Sequence, residues 1–224
     1  DGNCFLRFLL LYLFLFTPFF GIAKDYRPTP IENIKMDCAK GPSWSYCIHS
    51  YLGSQNKNIL YHFHGRHGNA TWWNDRAYHT GKIHQKWLDK KKDPPRVISV
   101  SFGTLWVLKK NPKEPSGGLQ NILLNEVIPT IEKKIGWKGG RRDLLGISMG
   151  GLNAAFASLM NPAHFSRVAI LCAPIPTVTH HDSWGEIFSF FKDSGISTRR
   201  AATLFFFSRK FFSNEKLWKQ HSPI

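Results

Sequence analysis

A serine flanked by glycines is the feature of this sequence best suited to chemistry. Gly146-Ile147-Ser148-Met149-Gly150 lies between an apolar run, residues 143–147, and a small-residue segment, residues 150–160. A strand that turns directly into a helix strains the backbone of the central residue, and neighbours without side chains prevent collisions there. The pattern predicts that Ser148 presents its hydroxyl near the positive end of the helix and acts as a nucleophile.

A second glycine-containing segment, His64-Gly65-Arg66-His67-Gly68, directly follows an apolar run at residues 58–63. Acyl transfer through a serine passes through a tetrahedral oxyanion that needs backbone N–H donors aimed at it. One donor is expected from Met149, the residue after the serine, and the other from this loop. We expect the N–H of Arg66 to be the second donor, with Gly65 as the next candidate.

The side chains of that loop are expected to have supporting roles. His64 and His67 are interpreted as structural hydrogen-bonding residues rather than metal ligands or a catalytic base, and Arg66 as a solvated side chain. No spacing of cysteines and histidines in the chain resembles a structural zinc site, so no metal is expected.

The elements that must position these residues alternate along the chain. Apolar and β-branched runs predict strands over residues 46–52, 58–63, 96–102, 143–147 and 167–172. Apolar periodicity and small-residue content predict helices over about 71–91, 119–135 and 150–160. Pro129 predicts a kink or restart, because proline has no backbone N–H to donate. The alternation predicts an α/β fold with a mostly parallel sheet flanked by helices.

An aromatic and basic segment follows the last predicted strand. Residues 183–218 are predicted to form a helical insertion or cap after the sixth strand. Two interpretations stay open for its aromatic side chains: they line an acyl pocket, or they pack the insertion onto the core.

The motifs together resemble an esterase family of α/β-hydrolases. The residues similar to that family are 64–68 followed by Trp72-Trp73, then 146–151, then 165–168. This branch includes esterase D (S-formylglutathione hydrolase), feruloyl esterases and the mycolyltransferases. The resemblance covers about residues 45–176. It implies the α/β-hydrolase fold and a serine esterase that cleaves a small-molecule, glycan or lipid ester through an acyl-serine, without a cofactor.

A serine nucleophile needs a base and an acid that orients it. In the family both follow later strands, and residues 217–224 resemble the segment just ahead of the strand that carries the acid. The sequence therefore predicts a C-terminally truncated fragment that lacks the last strands and is inactive by itself. Asp182 with His180 and His181 is a weaker alternative, since a histidine there precedes the acid. His221 is weaker as well, because no strand precedes it; these residues are expected at the surface.

Two other functions stay open. The same site would serve an acyltransferase if a sugar or lipid alcohol replaced water. A non-catalytic, hydrolase-like binding protein is favoured if the chain truly ends at residue 224.

The first 23 residues are predicted to lie outside the fold. An early basic residue, an apolar run at 5–23 and the small-x-small end Gly21-Ile22-Ala23 predict a secretory signal peptide. An uncleaved membrane anchor is the alternative, because the run is almost long enough to span a bilayer. Residues 24–224 then form the hydrolase domain, and the protein is expected to be secreted, periplasmic or cell-surface.

Charge and cysteines limit the partners and the compartment. The chain carries 30 Lys+Arg against 15 Asp+Glu, a net charge of +15. The basic residues are spread in short groups, which argues against nucleic-acid binding. Association with a membrane or cell envelope stays open, and the sequence does not indicate the oligomeric state. Cys38 and Cys47 flank the turn at 41–43 and are expected to pair in an oxidising compartment. Cys172, inside an apolar run, is expected to be buried.

Overall fold

The computed structural model describes residues 31–66, 68–74, 79–103, 118–173 and 180–193, with the single residues 195, 197, 205, 209, 215 and 216. The chain divides into two compact units. One unit is Pro28–Thr177 with Asn214–Ile224, and it contains the sheet described below. The other is Asp1–Arg27 with Val178–Ser213.

The described part of the chain contains one six-stranded sheet. Its strands are β1 (Ile34–Lys40), β2 (Ser45–Tyr51), β3 (Ile59–Phe63), β4 (Arg96–Ser101), β5 (Arg142–Ile147) and β6 (Arg167–Leu171). The order across the sheet is β1-β2-β4-β3-β5-β6. β2 runs antiparallel to β1 and β4, whereas β3, β4, β5 and β6 are parallel to one another. The predicted mostly parallel α/β sheet is confirmed.

Register brings the two glycine motifs to one end of the sheet. Phe63, the last residue of β3, pairs with Gly146 of β5 and with Val100 of β4. The residues that follow these strands therefore meet at a common edge, which we call the carboxyl edge. The opposite edge, where β3 to β6 begin, is called the amino edge.

Helices follow the strands in the order that the sequence predicts. The α-helical segments are α1 (His79–Asp89), α2 (Leu119–Ile122), α3 (Ile128–Lys134), α4 (Met149–Met160) and α5 (Trp184–Asp193). A π-helical turn, Leu123–Val127, joins α2 to α3, and short 3-10 helices occupy Ala70–Asn74 and Pro162–His164. The helix predicted over 71–91 is therefore a 3-10 turn and a separate α-helix.

Pro129 explains the π-helical turn. It lies at the start of α3 and has no N–H to donate into the preceding turn. The N–H of Ile128 instead donates to the carbonyl of Leu123, five residues back. The predicted interruption at Pro129 is thus present as one widened turn, and Gly136, at φ 59°, follows the end of the helix.

Apolar side chains are buried on both faces of the sheet. The larger cluster joins β3 and β4 to the 119–134 helix and α4, through residues such as Tyr61, Ile98 and Leu123. On the other face Leu60, Val97 and Leu145 pack with Trp73 of the 3-10 turn. Full burial of each such side chain stabilises the fold by about 1.5–3 kcal/mol, so both helix layers hold the strand ends in place.

A disulfide closes the first hairpin. Cys38 of β1 and Cys47 of β2 lie directly opposite each other in the register and are bonded. The pairing expected from the sequence is confirmed.

The last strand of the described sheet corrects one expectation. All five residues of β6 are exposed, and within the described residues only β5 pairs with it. Cys172, directly after β6, is exposed with a free thiol. The expectation of a buried cysteine was wrong, because an apolar run predicts burial only where neighbouring elements cover both faces.

The second unit is described mainly by α5, which lies inside the predicted 183–218 insertion. Most other residues of that insertion lie outside the described part, as do residues 1–23 with the predicted signal or anchor. Among the described helices, none combines the length and the apolar character that a membrane span requires.

Candidate active site

Ser148 lies at an abrupt turn from strand to helix. It follows Ile147, the end of β5, and precedes Met149, the first residue of α4. Its backbone has φ 55° and ψ −119°, a conformation that costs a non-glycine residue about 1–3 kcal/mol. The residue is exposed, and its N–H donates to the carbonyl of Leu171 over 2.8 Å.

Close backbone packing explains the glycines around this turn. A Cβ on Gly146 would collide with the carbonyl oxygen of Gly150. A Cβ on Gly150 would collide with the carbonyl oxygen of Phe63 and stand 2.6 Å from that of His64. The turn therefore packs against the end of β3, where the 64–68 loop begins.

The first turn of α4 presents N–H groups beside Ser148 that have no acceptor among the described residues. The first helical hydrogen bond runs from the N–H of Leu152 to the carbonyl of Ser148, and no side chain caps the helix. The N–H groups of Met149 and the following glycines thus have no acceptor within the helix. These donors, with the helix dipole, favour negative charge next to the serine hydroxyl.

A buried histidine holds the loop that follows β3. His64 Nδ1 donates to the carbonyl of Gly65 over 2.7 Å, and the N–H of Gly68 donates to the same oxygen over 2.9 Å. His64 Nε2 accepts from Ser101 Oγ over 2.7 Å, and Ser101 Oγ accepts from the N–H of Gly103. Burial lowers the pKa of His64, which favours the neutral ring that this pattern requires. The expected hydrogen-bonding role of His64 is confirmed.

The held carbonyl also orients the next amide. In a trans peptide the C=O and the following N–H point in opposite directions. Because the Gly65 carbonyl faces the His64 ring, the N–H of Arg66 points away from that ring. Among the described residues no acceptor receives this N–H, and the Arg66 side chain is exposed. His67 lies outside the described residues.

Sequence reasoning did not identify Ser101 as part of this site. A signal for it is present in Arg-Val-Ile-Ser-Val-Ser, where Ser99 and Ser101 are two residues apart in a buried strand. Residues at this spacing share one face of a strand, so two hydroxyls there require buried polar partners. Those partners are His62 for Ser99, over 2.8 Å, and His64 for Ser101.

The other predicted candidates lie in the second unit or outside the described residues. His180, His181 and Asp182 belong to the second unit and precede α5. His221 lies outside the described residues. Within the described residues, no group of three or more His, Cys, Asp or Glu side chains is arranged to hold a metal ion.

The fold and the turn at Ser148 together define an α/β-hydrolase. A family model described as Putative esterase matches residues 49–224, most of the chain. The chain therefore belongs to this esterase family.

Several solved structures with similar folds are described as esterases. One described as a ferulic acid esterase has a TM-score of 0.50 at 20% identity, covering 64% of this chain and 61% of its own. A feruloyl esterase module from Clostridium thermocellum scores 0.46 at 17% identity, covering 77% and 68%. A ferulic acid esterase from Anaeromyces mucronatus scores 0.45 at 14% identity, covering 66% and 61%. The first likeness supports the α/β-hydrolase fold.

No curated protein significantly matches the sequence. The chain spans about three fifths of the first of these solved structures.

Proposed function

We propose that this protein hydrolyses carboxylic esters through an acyl intermediate on Ser148. The observation that carries the proposal is the exposed serine at a strained strand-to-helix turn, packed by Gly150 onto the end of β3. Membership of the esterase family supports the same reaction class.

In the proposed first step, Ser148 Oγ attacks the ester carbonyl carbon and loses its proton to a general base. The carbonyl oxygen becomes an oxyanion that accepts hydrogen bonds from the N–H of Met149 and the N–H of Arg66, with Gly65 as the next candidate. The alcohol leaves with the proton from the base. Water then loses a proton to the base and attacks the acyl-serine; the carboxylic acid is released as Ser148 Oγ regains the proton from the base.

His64 is not the proposed base. Both of its ring nitrogens already bond, one to the Gly65 carbonyl and one to Ser101. Its proposed role is to hold the Gly65–Arg66 peptide, so that the N–H of Arg66 is oriented before substrate arrives. We propose that a different histidine supplies the base.

Labelling with a fluorophosphonate probe tests the nucleophile in the full-length protein. The wild type should be labelled at Ser148, and Ser148→Ala should lose labelling. Ser166→Ala is the matched control, because Ser166 is an exposed serine at the amino edge and should leave labelling unchanged. Labelling retained by Ser148→Ala would disprove the assignment.

We further propose that the protein works in an oxidising compartment outside the cytoplasm. The Cys38–Cys47 bond supports this, since disulfides persist mainly in such compartments. Thiol counting on the native protein checks it, and two free thiols at these positions would contradict it.

A further inference from the structure

The amino edge of the sheet carries a cluster of basic side chains away from the nucleophile. Four of them lie in loops that precede strands, two of these directly after α1, and two others are the first residues of β4 and β6. The basic edge is defined as Lys57, Lys90, Lys91, Arg96, Lys138 and Arg167. Arg96 is half-buried and the other five are exposed.

Hydrogen bonds join the loops of this edge into one surface. Ser54 Oγ donates to Asp93 over 2.6 Å, linking the loop before β3 to the loop before β4. Trp137 Nε1 donates to the carbonyl of Lys57 over 2.8 Å, which adds the loop before β5. The N–H of Ser166 donates to the carbonyl of Arg142 over 2.7 Å, which adds the segment before β6. These hydrogen bonds therefore hold the loops that carry the basic side chains next to one another, as one continuous surface.

The carboxylates at this edge are already engaged by other groups. Glu132 pairs with Arg142, Asp143 pairs with Arg141, and Asp93 accepts from Ser54. Within the described part of the chain, no carboxylate forms an ion pair with a member of the basic edge. Asp93 and the nearby Asp89 keep their negative charges, because their donors Ser54 and Gln85 are neutral. The six members of the basic edge outnumber these two carboxylates, so the surface has a net positive charge, which attracts polyanions.

Exposed aliphatic side chains lie at the same edge. Leu52, in the turn after β2, is 61% exposed. Leu159 and Met160, at the end of α4, are 61% and 39% exposed. Large aliphatic groups beside lysines fit the boundary between phospholipid headgroups and acyl chains, where they leave water while the ammonium groups meet phosphate.

We propose that the basic edge docks this protein on an anionic phospholipid bilayer. The strands between the two edges are five to six residues long, so Ser148 lies roughly 17–20 Å from the docked surface. Docking there leaves the carboxyl edge facing away from the lipid headgroups. This goes beyond the proposed esterase activity and does not depend on it.

Vesicle flotation of the full chain tests the proposal. The vesicles are phosphatidylcholine alone, or phosphatidylcholine with 30 mol% phosphatidylserine as an order-of-magnitude surface charge. Binding that requires phosphatidylserine should fall with added salt. The triple variant Lys57→Gln, Lys91→Gln, Lys138→Gln should bind about 100-fold more weakly, since each lysine near an anionic surface contributes about fivefold.

A charge-matched variant separates location from net charge. Lys40→Gln, Lys82→Gln, Lys134→Gln removes three exposed lysines of the same unit outside the basic edge and should bind within about twofold of the wild type. Equal losses in the two triple variants would overturn the proposal, because attraction would then reflect total charge. Binding without phosphatidylserine dependence, or binding to a soluble acidic polysaccharide in preference to vesicles, would overturn it too.

Hydrogen–deuterium exchange supplies an independent measurement on the wild type. Anionic vesicles should protect the amides of residues 52–58 and 136–141 and leave those of 64–66 unchanged. Protection confined to other segments would also overturn the proposal, and this readout does not depend on the variants folding.

Discussion

His64 connects the buried strand β4 to the loop that carries the proposed oxyanion donor. Its ring donates to the Gly65 carbonyl and accepts from Ser101, whose Oγ is itself held by the N–H of Gly103. These contacts leave little rotational freedom to the peptide whose N–H is the proposed second oxyanion donor. A donor that is already oriented stabilises developing charge without reorganisation during the reaction.

Ser101→Ala should therefore impair catalysis more than binding. In the full-length protein, with p-nitrophenyl acetate as substrate, we expect kcat to fall about 10- to 100-fold while KM changes less than about threefold. Ser101→Thr, which keeps the hydroxyl, should recover most of kcat.

Ser99→Ala is the matched control for this prediction. Ser99 lies on the same face of β4 and bonds the buried His62, which lies before the 64–68 loop. Both alanine variants should lose about 1–3 kcal/mol of stability through an unpaired ring nitrogen. Equal losses of kcat in the two variants would contradict a positioning role for Ser101.

At the level of elements, the site depends on contact between the start of α4 and the end of β3. Gly150 makes that contact, with the carbonyl oxygens of Phe63 and His64 where its Cβ would be. The strained backbone conformation of Ser148 is thus maintained by packing between α4 and β3, which are far apart in the sequence. Neither the loop nor the turn would keep its geometry if the two elements moved apart.

Gly150→Ala should separate these elements and destabilise the protein by about 3 kcal/mol, because the added methyl overlaps backbone rather than a movable side chain. Urea denaturation followed by circular dichroism measures the loss. Gly185→Ala is the control at the same helical position, the second residue of α5, where the nearest atom, Ser183 Oγ, is 3.9 Å away. Gly185→Ala should be as stable as the wild type or slightly more stable. If Gly150→Ala were as stable as Gly185→Ala, the packing argument would be refuted.

On the scale of the whole molecule, four buried histidines make stability depend on pH. His49, His62, His64 and His84 lie in one unit, and burial is the first cause that lowers the pKa of each. The pKa falls to about 4 for His49 and for His84. Among the described residues, one ring nitrogen each of His49, His62 and His84 finds no hydrogen-bond partner, which adds to the free-energy cost of charging these buried rings.

Because folding lowers the pKa of these histidines, the protein should become less stable as the pH falls. Above pH 6.5 the rings are neutral in both states, and the stability is fully present. Below pH 6.5 the histidines of the unfolded chain become protonated while the buried rings stay neutral, for His49 and His84 down to about pH 4, so the free energy of unfolding falls as the pH is lowered. Near pH 6 the free energy of unfolding should drop by about 1 kcal/mol per pH unit for His49 and for His84, and the lowered pKa values of His62 and His64 should add to this loss.

Urea midpoints between pH 7 and pH 5.5 measure this effect, because carboxylates titrate mainly at lower pH. A free energy of unfolding that stays constant over that range would show that the four rings are not buried as described.

Local patterns in the sequence were sufficient for the elements and for the turn at Ser148. The apolar runs, the 119–135 periodicity and Gly-x-Ser-x-Gly each reflect forces between residues close in the chain. Strand and helix bounds predicted from them agree with β2 to β6 and α4 within one or two residues. The disulfide could be predicted for the same reason, since Cys38 and Cys47 flank one short turn.

What only the tertiary structure decided is which distant segments meet. The pairing of Phe63 with Gly146, the bond of His64 to Ser101 and the exposure of Cys172 all depend on the order of strands in the sheet. That order arises from packing of complete faces and from backbone pairing between segments tens of residues apart. Periodicity records which face of an element is apolar, but it does not record which neighbour covers that face.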